Sequence, residues 1–338
     1  SILAVRRGVG EAGCPTITAA LSDSLIARSE AGLPMTADDS RRVHEPVMVR
    51  EVLDVLSPSA GERFLDMTLG VAGHGVEIAS RLGPTGLLVG IDLDAAILEI
   101  AKKQLSGPGL APSCVFQGSF LDCREALASA GLTRVDGILL DLGVSSLQLD
   151  DPERGFSFAH DGPLDMRMDP QGTSRTAADV VNLAPPDELE YIFRSYGEER
   201  FARRIARRIV ETRSVRRITR TAELADIVKR AYGRPGRQRI HPATRVFQAL
   251  RIEVNDELRN LESVLDIAPD LLEPGGRIAV IAFHSLEDRI VKEDFRNHAR
   301  SGVYTLLTKK PLRASPGEVD SNSRSRSAKL RAAKRSEQ

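Results

Sequence analysis

Cysteine is scarce in this sequence and tryptophan is absent: the 338 residues include three cysteines, Cys14, Cys114 and Cys123. Their spacing matches no zinc-ligand pattern, and three cysteines are too few for the disulfide framework of a small secreted domain. We therefore predict no metal site, and the low cysteine content favours a reducing compartment.

Two further absences narrow the class of protein. No uninterrupted apolar run approaches the roughly 18 residues that a membrane-spanning helix requires, which excludes a membrane protein. Lys plus Arg and Asp plus Glu both number 47, so the net charge is zero and indicates no partner. The 41% apolar and 28% charged residues are nevertheless sufficient for a folded core and argue against wholesale disorder.

The charge is unevenly distributed along the chain although it sums to zero. Residues 200–251 contain 16 Lys and Arg against three acids, and residues 322–335 contain six basic residues and no acid. Two basic blocks in a neutral chain predict a surface that binds a polyanion. For either block alone, the alternative is a solvated helix surface.

Residues 47–141 alternate between short apolar runs and amphipathic segments. The runs predict strands at 63–67, 87–92, 114–117 and 136–141, and the segments predict helices at 47–56, 74–82, 94–105 and 122–130. Buried strands separated by helices indicate an α/β fold with a doubly wound, mostly parallel sheet. Residues 1–40 show no sustained period and no signal-peptide pattern, and we expect a flexible N-terminal extension there.

A long insertion separates two strands of this sheet. The next convincing strand is at 277–283, after a turn at 273–276, whereas a strand–helix–strand crossover requires only about 30 residues. We therefore predict a discontinuous α/β domain formed by 41–150 and 245–338, interrupted by a helical domain at 151–244.

Three helices are predicted in and after this insertion. Apolar residues repeat at helical spacing from Phe201 to Val210, while arginines occupy the opposite side. A second helix is predicted at 221–232 with Thr221 as its N-cap, and a long third helix at 244–272 leads back to the sheet. Because the arginine-rich side belongs to the first basic block, the helical domain is the expected polyanion-binding part.

Polar or glycine-rich segments follow four of the predicted strands. A turn from Gly70 to Gly75 follows the first strand, Asp92 and Asp141 end two others, and His284 follows the late strand. Open α/β sheets bind ligands at this edge, so the four together predict a ligand site. Taken singly, each has a structural alternative: a tight turn for the glycines and a helix cap for the polar residues.

The turn and Asp92 have the arrangement of a nucleotide site. Glycines let a ligand approach the backbone, and an acid about 20 residues further on can accept hydrogen bonds from ribose hydroxyls. Ala72 stands where a dinucleotide fingerprint has its second glycine, which disfavours NAD as the ligand.

Seven longer motifs extend the pattern over about 44–335. They are His44-Glu-Pro-Val47, Asp66-Met-Thr-Leu-Gly70, Asp136-Gly-Ile-Leu-Leu-Asp-Leu-Gly-Val-Ser-Ser146, Asp161-Gly-Pro-Leu-Asp-Met-Arg-Met-Asp169, Tyr196-Gly-Glu-Glu-Arg200, His284-Ser-Leu-Glu-Asp-Arg-Ile-Val-Lys292 and Ser325-Arg-Ser-Ala-Lys-Leu-Arg331. Together they resemble the S-adenosylmethionine-dependent small-subunit ribosomal RNA (cytosine-N4)-methyltransferase family.

The resemblance implies a class I methyltransferase domain that binds S-adenosylmethionine and carries an inserted helical substrate domain. It implies methyl transfer to the exocyclic N4 of a cytidine near the decoding centre of the small ribosomal subunit. The implied cofactor contacts are Ala72, Gly73, His74, Asp92, Phe120, Asp141 and Gln148, to which we add Gly70 from the turn. The family usually has Gly at position 72 and Ser or Thr at 75, where this chain has Ala72 and Gly75.

Methyl transfer to a cytosine amine requires positioning and acceptors for its N–H groups. Asp141 is our candidate catalytic acceptor, with cofactor binding as its competing role, and His284 is the second candidate. The residues expected to contact RNA phosphates are Arg203, Arg204, Arg207, Arg208, Arg216, Arg217, Arg237 and Arg239. The candidate rings for stacking on a base are Phe156, Phe158 and Tyr232.

Three other functions stay open from the sequence: methylation of another RNA or a protein, ribosome-assembly binding with incidental methylation, and NAD-linked oxidation. We expect small-subunit ribosomal RNA as the partner, no membrane, and a monomer or homodimer. The expected compartment is the bacterial cytoplasm, with an organellar matrix as the alternative.

Overall fold

The computed structural model describes residues 46–172, 175–233 and 241–337. The extension predicted for 1–40 lies outside these residues, as do Arg237 and Arg239. None of the helices that the described residues form combines the length and apolar character required to cross a bilayer.

In the described part of the chain, seven strands form one sheet in the order β3-β2-β1-β4-β5-β7-β6. The strands are β1 (Arg63–Asp66), β2 (Leu87–Asp92), β3 (Ser113–Gln117), β4 (Val135–Asp141), β5 (Leu272–Ala282), β6 (Tyr304–Leu306) and β7 (Lys329–Arg335). The first five are parallel, and β7 runs antiparallel to both neighbours. The predicted doubly wound, mostly parallel sheet is therefore confirmed. The strand order reverses at β1, because β2 and β3 lie on one side of it and β4 and β5 on the other. A crevice is therefore expected between β1 and β4 at their carboxyl ends.

The described residues form helices that cover both faces of the sheet and helices that build the insertion. They are α1 (Val49–Leu56), α2 (Gly73–Leu82), α3 (Ala95–Leu105), α4 (Cys123–Ser129), α5 (Ser146–Asp150), α6 (Ala177–Leu183), α7 (Pro186–Ser195), α8 (Ala202–Arg213), α9 (Thr221–Tyr232), α10 (Ala243–Asn255), α11 (Glu257–Leu271), α12 (Ser285–Arg300) and α13 (Pro316–Ser321). Successive residues of a strand point to opposite faces, so Phe64 packs with α1, α2 and α3 while Leu65 packs with α4, α11 and α12. All the helices predicted before β4 are present, within a few residues of the expected bounds.

The strand β5 begins earlier than the predicted 277. Its register against β4 moves from Val135 opposite Leu272 to Gly137 opposite Arg277, which is a bulge. The predicted turn at 273–276 is therefore a bulge inside the strand, where Gly275 takes a φ of 80°.

The antiparallel strands β6 and β7 were not predicted, and they correct the interpretation of the second basic block. Burial of Leu330, Ala332 and Ala333 fixes β7 inside the sheet. Lys329 Nζ and Arg331 Nε lie 2.9 and 2.7 Å from the carboxylate of Asp288 in α12. These two cations neutralise an acid of the fold, so residues 322–335 do not form a continuous polyanion-binding surface.

The insertion has a core of its own. A cluster of buried residues runs from Phe156 to Val254 and is separate from the two clusters that flank the sheet. The helix predicted at 244–272 is wrong as a single element, because Asp256 takes a left-handed φ of 50° and divides it into α10 and α11. This break turns the chain from the insertion back towards the sheet.

The start of α9 is held by a loop rather than by its own first residue. Thr221 was predicted as the N-cap, but its hydroxyl accepts a 3.0 Å hydrogen bond from the Gly162 N–H, and Asp161 accepts the Ala222 N–H at 3.1 Å. The cap is therefore supplied from about 60 residues upstream, which a local pattern does not reveal.

We expect Gly162→Ala to destabilise the protein by about 1–3 kcal/mol, because a Cβ there would lie 1.8 Å from the Pro152 carbonyl oxygen. The matched control is Gly317→Ala in α13, where the nearest atom would be 4.0 Å away. Chemical denaturation of both variants measures the difference. Equal stability of the two variants would contradict the packing argument.

Candidate active site

A cavity of about 640 Å³ opens at the carboxyl edge of the sheet. Its walls include the turn after β1, the ends of β2 and β4, and the residues that follow β5. Seven of the nine predicted cofactor and catalytic residues line it: Gly70, Gly73, His74, Asp92, Phe120, Asp141 and Gln148. Ala72 and His284 are not among its lining residues.

The glycine-rich turn delivers backbone N–H groups to this cavity. Gly70 takes a φ of 54°, Ala72 takes a φ of 68°, and α2 begins at Gly73 without a side-chain cap. The left-handed conformation of Ala72 explains why glycine is the usual residue at this position, since a Cβ there costs about 1–2 kcal/mol. The uncapped start of α2 leaves N–H groups for an anionic ligand group such as a carboxylate.

Asp92 is held in place by the backbone around it. Its Oδ2 accepts the Gly70 N–H at 2.9 Å and its Oδ1 accepts the Asp94 N–H at 3.0 Å. Burial raises the pKa of Asp92, although these bonds oppose the rise. Asp94 is the N-cap of α3, which was the structural alternative considered for this acid pair. The carboxylate of Asp92 is thus fixed at the cavity wall, where its remaining lone pairs can meet hydroxyl groups.

The contacts of His74 indicate a neutral imidazole with its proton on Nε2. Its Nε2 is 2.8 Å from the Val47 carbonyl oxygen, which can only accept, so Nε2 carries the proton. Burial lowers the pKa of His74 and keeps the ring uncharged. The acceptor atom Nδ1 then faces Asp141 Oδ2 at 3.5 Å.

Asp141 combines burial with an unused oxygen. Its Oδ1 is buried and has no hydrogen-bond partner among the described residues. Its backbone N–H donates to Thr68 Oγ1 at 2.6 Å, which fixes the end of β4. Burial raises the pKa of Asp141 to about 7, whereas the nearby charge of Arg324 lowers it. The unpaired oxygen marks Asp141 as an acceptor that lacks only its donor.

Asp66, beneath the same edge, has a raised pKa for a similar reason. It is 1% exposed, burial raises its pKa to about 7, and the hydrogen bond from the Thr68 N–H opposes this rise. The folded state therefore holds this proton more tightly than the unfolded chain, whose aspartate pKa is near 3.8.

We expect Asp66→Asn to reduce the loss of stability with rising pH. The contribution of a raised carboxyl pKa is present below about pH 4 and lost as pH rises through 7, on the order of 1–3 kcal/mol. Thermal unfolding at pH 5 and pH 8 should show a smaller difference for the variant than for the wild type. An identical difference in both proteins would contradict the assignment.

Gln148 and His284 are both engaged in helix caps. The Gln148 Oε1 accepts the Ser145 N–H at 2.9 Å at the start of α5. His284 is the N-cap of α12, where its Nδ1 accepts the Glu287 N–H at 3.3 Å and its Nε2 lies 3.1 Å from Glu287 Oε1. Its contacts are thus those of the capping alternative, and its catalytic role stays a prediction.

Two carboxylates beside His284 lie close to an arginine side chain. Ligand atoms of Glu257, His284 and Glu287 lie within 4.8 Å of one another, a spacing that suits a metal ion. However, Arg251 donates two 2.8 Å hydrogen bonds to Glu257 and lies 4.0 Å from Glu287. This guanidinium supplies the charge that the carboxylates require, so we interpret the group as a buried ion-pair network.

The predicted RNA-contacting arginines that the structure describes are exposed. In α8, Arg203, Arg204, Arg207 and Arg208 lie opposite buried Ile205 and Ile209. Arg216 and Arg217 follow this helix and form ion pairs at 2.9 and 2.8 Å with Glu223 and Asp179, whose side chains are partly buried. The guanidinium side of both pairs is exposed and therefore accessible to an RNA phosphate.

The candidate stacking rings, in contrast, belong to the core of the insertion. Phe156 is buried, Phe158 packs against Phe247 at 4.9 Å, and Tyr232 packs against Phe201 at 4.8 Å. These contacts give the three rings a packing role, and their stacking on a base stays a prediction.

Several cavity residues were missed by sequence reasoning. Asn255, Asp256 and Arg251 reach it from the junction of α10 and α11, Phe283 follows β5, and Arg324 comes from the C-terminal segment. Phe283 could have been found because it directly precedes His284 at a strand end. The others reach the edge through the chain return, which has no local sequence signal.

The strand order, the antiparallel β7 and the cavity at the carboxyl edge define a class I methyltransferase fold. The chain belongs to the MraW methylase family, whose model matches residues 41–336. It is a methyltransferase with S-adenosylmethionine as cofactor, as the resemblance predicted.

Close relatives are bacterial proteins of similar length. The ribosomal RNA small subunit methyltransferase H of Syntrophotalea carbinolica is 50% identical over 310 residues, which cover 86% of this chain and 98% of that protein. The protein of the same name from Carboxydothermus hydrogenoformans is 48% identical over 309 residues, covering 86% of this chain and 97% of its own. The similarity therefore spans nearly the whole length of these relatives.

Proposed function

We propose that this chain transfers a methyl group from S-adenosylmethionine to the exocyclic N4 of a cytidine in small-subunit ribosomal RNA, near the decoding centre. The relatives named for small-subunit ribosomal RNA methylation support the substrate class. The observation that carries the choice of an amine is the buried Oδ1 of Asp141 at the cavity wall, which has no hydrogen-bond partner among the residues that the structure describes.

The residues of the cavity fit the cofactor. The N–H groups at the uncapped start of α2, from Gly73 onwards, suit its carboxylate, the Asp92 carboxylate suits ribose hydroxyls, and the Phe120 ring suits the adenine. His74 and Gln148 shape the same wall, and buried Ala72 shapes the turn behind it. S-adenosylmethionine supplies an electrophilic methyl group on a sulfonium, which needs little further activation.

The protein's own contribution is to position and polarise the amine. The lone pair of a cytosine amine is delocalised into the ring, which makes the amine a poor nucleophile. Asp141 Oδ1 would accept one of its N–H bonds and stabilise the positive charge that develops on nitrogen. The same carboxylate would then receive the proton that the amine loses. His74 Nδ1, itself an acceptor 3.5 Å from Oδ2, would favour the protonated form of this carboxyl group.

The helical insertion, predicted at 151–244, would deliver the RNA. A paired cytosine has its N4 engaged, so the target base has to be unpaired or swung out. The exposed arginines of α8 would contact phosphates on either side of the base. We further propose a bacterial cytoplasmic location and a monomer or homodimer.

Nucleoside mass spectrometry tests this function. Small ribosomal subunits from a strain without the endogenous family enzyme are incubated with the protein and S-adenosylmethionine carrying a CD3 group. We expect one N4-methylcytidine with a mass increase of the labelled methyl, mapped by nuclease fragments to one site near the decoding centre. Label in another nucleoside, in protein only, or nowhere would refute the proposal.

A further inference from the structure

Arg324 is a cation in the cavity wall that no carboxylate of the described residues neutralises by an ion pair. Of the described residues that line the cavity, Arg251 and Arg324 are the basic ones. Arg251 is already engaged in two hydrogen bonds to Glu257. Arg324 forms no ion pair with a carboxylate of the described chain, yet it is near enough for its positive charge to lower the pKa of Asp141.

The backbone of Arg324 is fixed while its side chain is left available. It belongs to a 3-10 turn, Ser323–Ser327, whose N-cap Asn322 accepts the Arg324 N–H at 3.3 Å. Ser325 is 1% exposed and donates from its hydroxyl to the Asn322 carbonyl oxygen at 2.8 Å. A fixed turn that places a half-buried arginine in a cavity wall is typical of a ligand-binding residue rather than of a solvated surface residue.

The surroundings of Arg324 restrict what it can bind. Asp141 Oδ1 needs a donor, and the guanidinium offers donors and no acceptor. Phe283 lines the same cavity and presents an aromatic side chain at the end of β5. A flat ligand between them would present an N–H group to Asp141 and acceptor atoms to Arg324.

Cytosine has this pattern on its Watson–Crick edge, where the N4 amine is followed by the acceptors N3 and O2. We infer that Arg324 contacts the target base, donating to N3 and O2 while Asp141 Oδ1 accepts from N4 and Phe283 packs on the ring. This assignment rests on the proposed function and adds the basis of its base selectivity. Uracil would place O4 against a carboxylate and N3–H against a guanidinium, leaving buried groups unpaired.

Two anionic ligands would also explain a free guanidinium, and each has a distinct consequence. If Arg324 bound the cofactor carboxylate, its loss would weaken S-adenosylmethionine binding. If it bound a phosphate, its loss would weaken RNA binding and make the salt dependence shallower. A contact to the base edge instead affects the rate of transfer and depends on the acceptor atom of the base.

The test is a double-mutant cycle between Arg324→Gln and the base. Small subunits are reconstituted with RNA that carries cytidine or 3-deazacytidine at the mapped target; the analogue keeps the amine but replaces N3 by C–H. We expect Arg324→Gln to slow single-turnover methylation of cytidine by about 10- to 100-fold, the effect of losing a charged hydrogen bond. The analogue should slow the wild type by a similar factor and the variant by no more than about threefold.

The control is Arg326→Gln, an exposed arginine of the same turn that does not line the cavity. It should match the wild type on both substrates. Calorimetric titration of S-adenosylmethionine should give equal affinities for all three proteins, which also shows that the variants are folded.

Three results would overturn the assignment: multiplicative losses in the cycle, a loss of cofactor affinity in Arg324→Gln, or a loss of RNA affinity with a shallower salt slope. Absence of N4-methylcytidine with the wild type is a separate result, because it refutes the proposed function itself.

Discussion

Asp141→Ala should slow methyl transfer by about 10²- to 10³-fold, the typical cost of removing one preorganised group that stabilises transition-state charge. The effect should fall on the single-turnover rate, because Oδ1 has no other partner among the described residues and its contact is made with the substrate amine. Cofactor affinity should fall less, since the turn and Asp92 are intact. Rapid-quench assays with labelled cofactor measure the rate, and calorimetry measures the affinity.

The same residue predicts a pH dependence for the wild type. Burial raises the pKa of Asp141 to about 7, and only the ionised carboxylate can accept the N–H and later the proton. The single-turnover rate should therefore rise about tenfold per pH unit below 7 and level off above it. Asp150→Ala, an exposed acid after the same strand, is the matched control and should keep both rate and profile. A wild-type rate that is flat from pH 5.5 to 8, or an Asp141→Ala rate within threefold of wild type, would exclude the proposed role.

Charge reversal on α8 should have the second largest effect, this time on RNA affinity. Replacing Arg203, Arg204, Arg207 and Arg208 by Glu should weaken RNA binding by about 10²-fold or more at moderate salt. The slope of log affinity against log salt should become shallower by about 3, because each single-strand phosphate contact contributes roughly 0.7. Filter binding over a salt series measures both quantities.

Two controls separate this effect from misfolding and from bulk charge. The affinity for S-adenosylmethionine should stay unchanged, since α8 contributes no residue to the cavity lining. Reversing exposed Lys102 and Lys103 on α3 should leave the salt slope within error of wild type. An unchanged slope in the α8 variant would remove these arginines from the RNA interface.

The parallel half of the fold could be predicted because its signals are local. Apolar runs such as 87–92 and 136–141 are buried on both faces and separated by amphipathic helices, so type and order of the elements follow from the pattern. The acids that end these runs share one edge for the same reason, and Asp92 and Asp141 line the same cavity.

The rest depends on contacts distant in sequence. The strand β7 was not predicted because its basic residues are not typical of a strand inside a sheet. Lys329 and Arg331 are accommodated there because both pair with Asp288. The break between α10 and α11 follows from the left-handed backbone conformation of Asp256. No glycine marks this position in the sequence. Arg324 enters the cavity only because the C-terminal segment returns to the strand edge, so its part in the site becomes visible with the structure.

A crystal structure with S-adenosylhomocysteine bound tests whether the cavity at the carboxyl edge is the cofactor site. We expect a ribose hydroxyl within hydrogen-bond distance of the Asp92 carboxylate, about 2.6–3.2 Å. We also expect the sulfur to face Asp141, with the turn at Gly70 and Gly73 around the amino-acid end. A ligand bound away from this edge, or with its ribose far from Asp92, would show that the cofactor site is assigned wrongly.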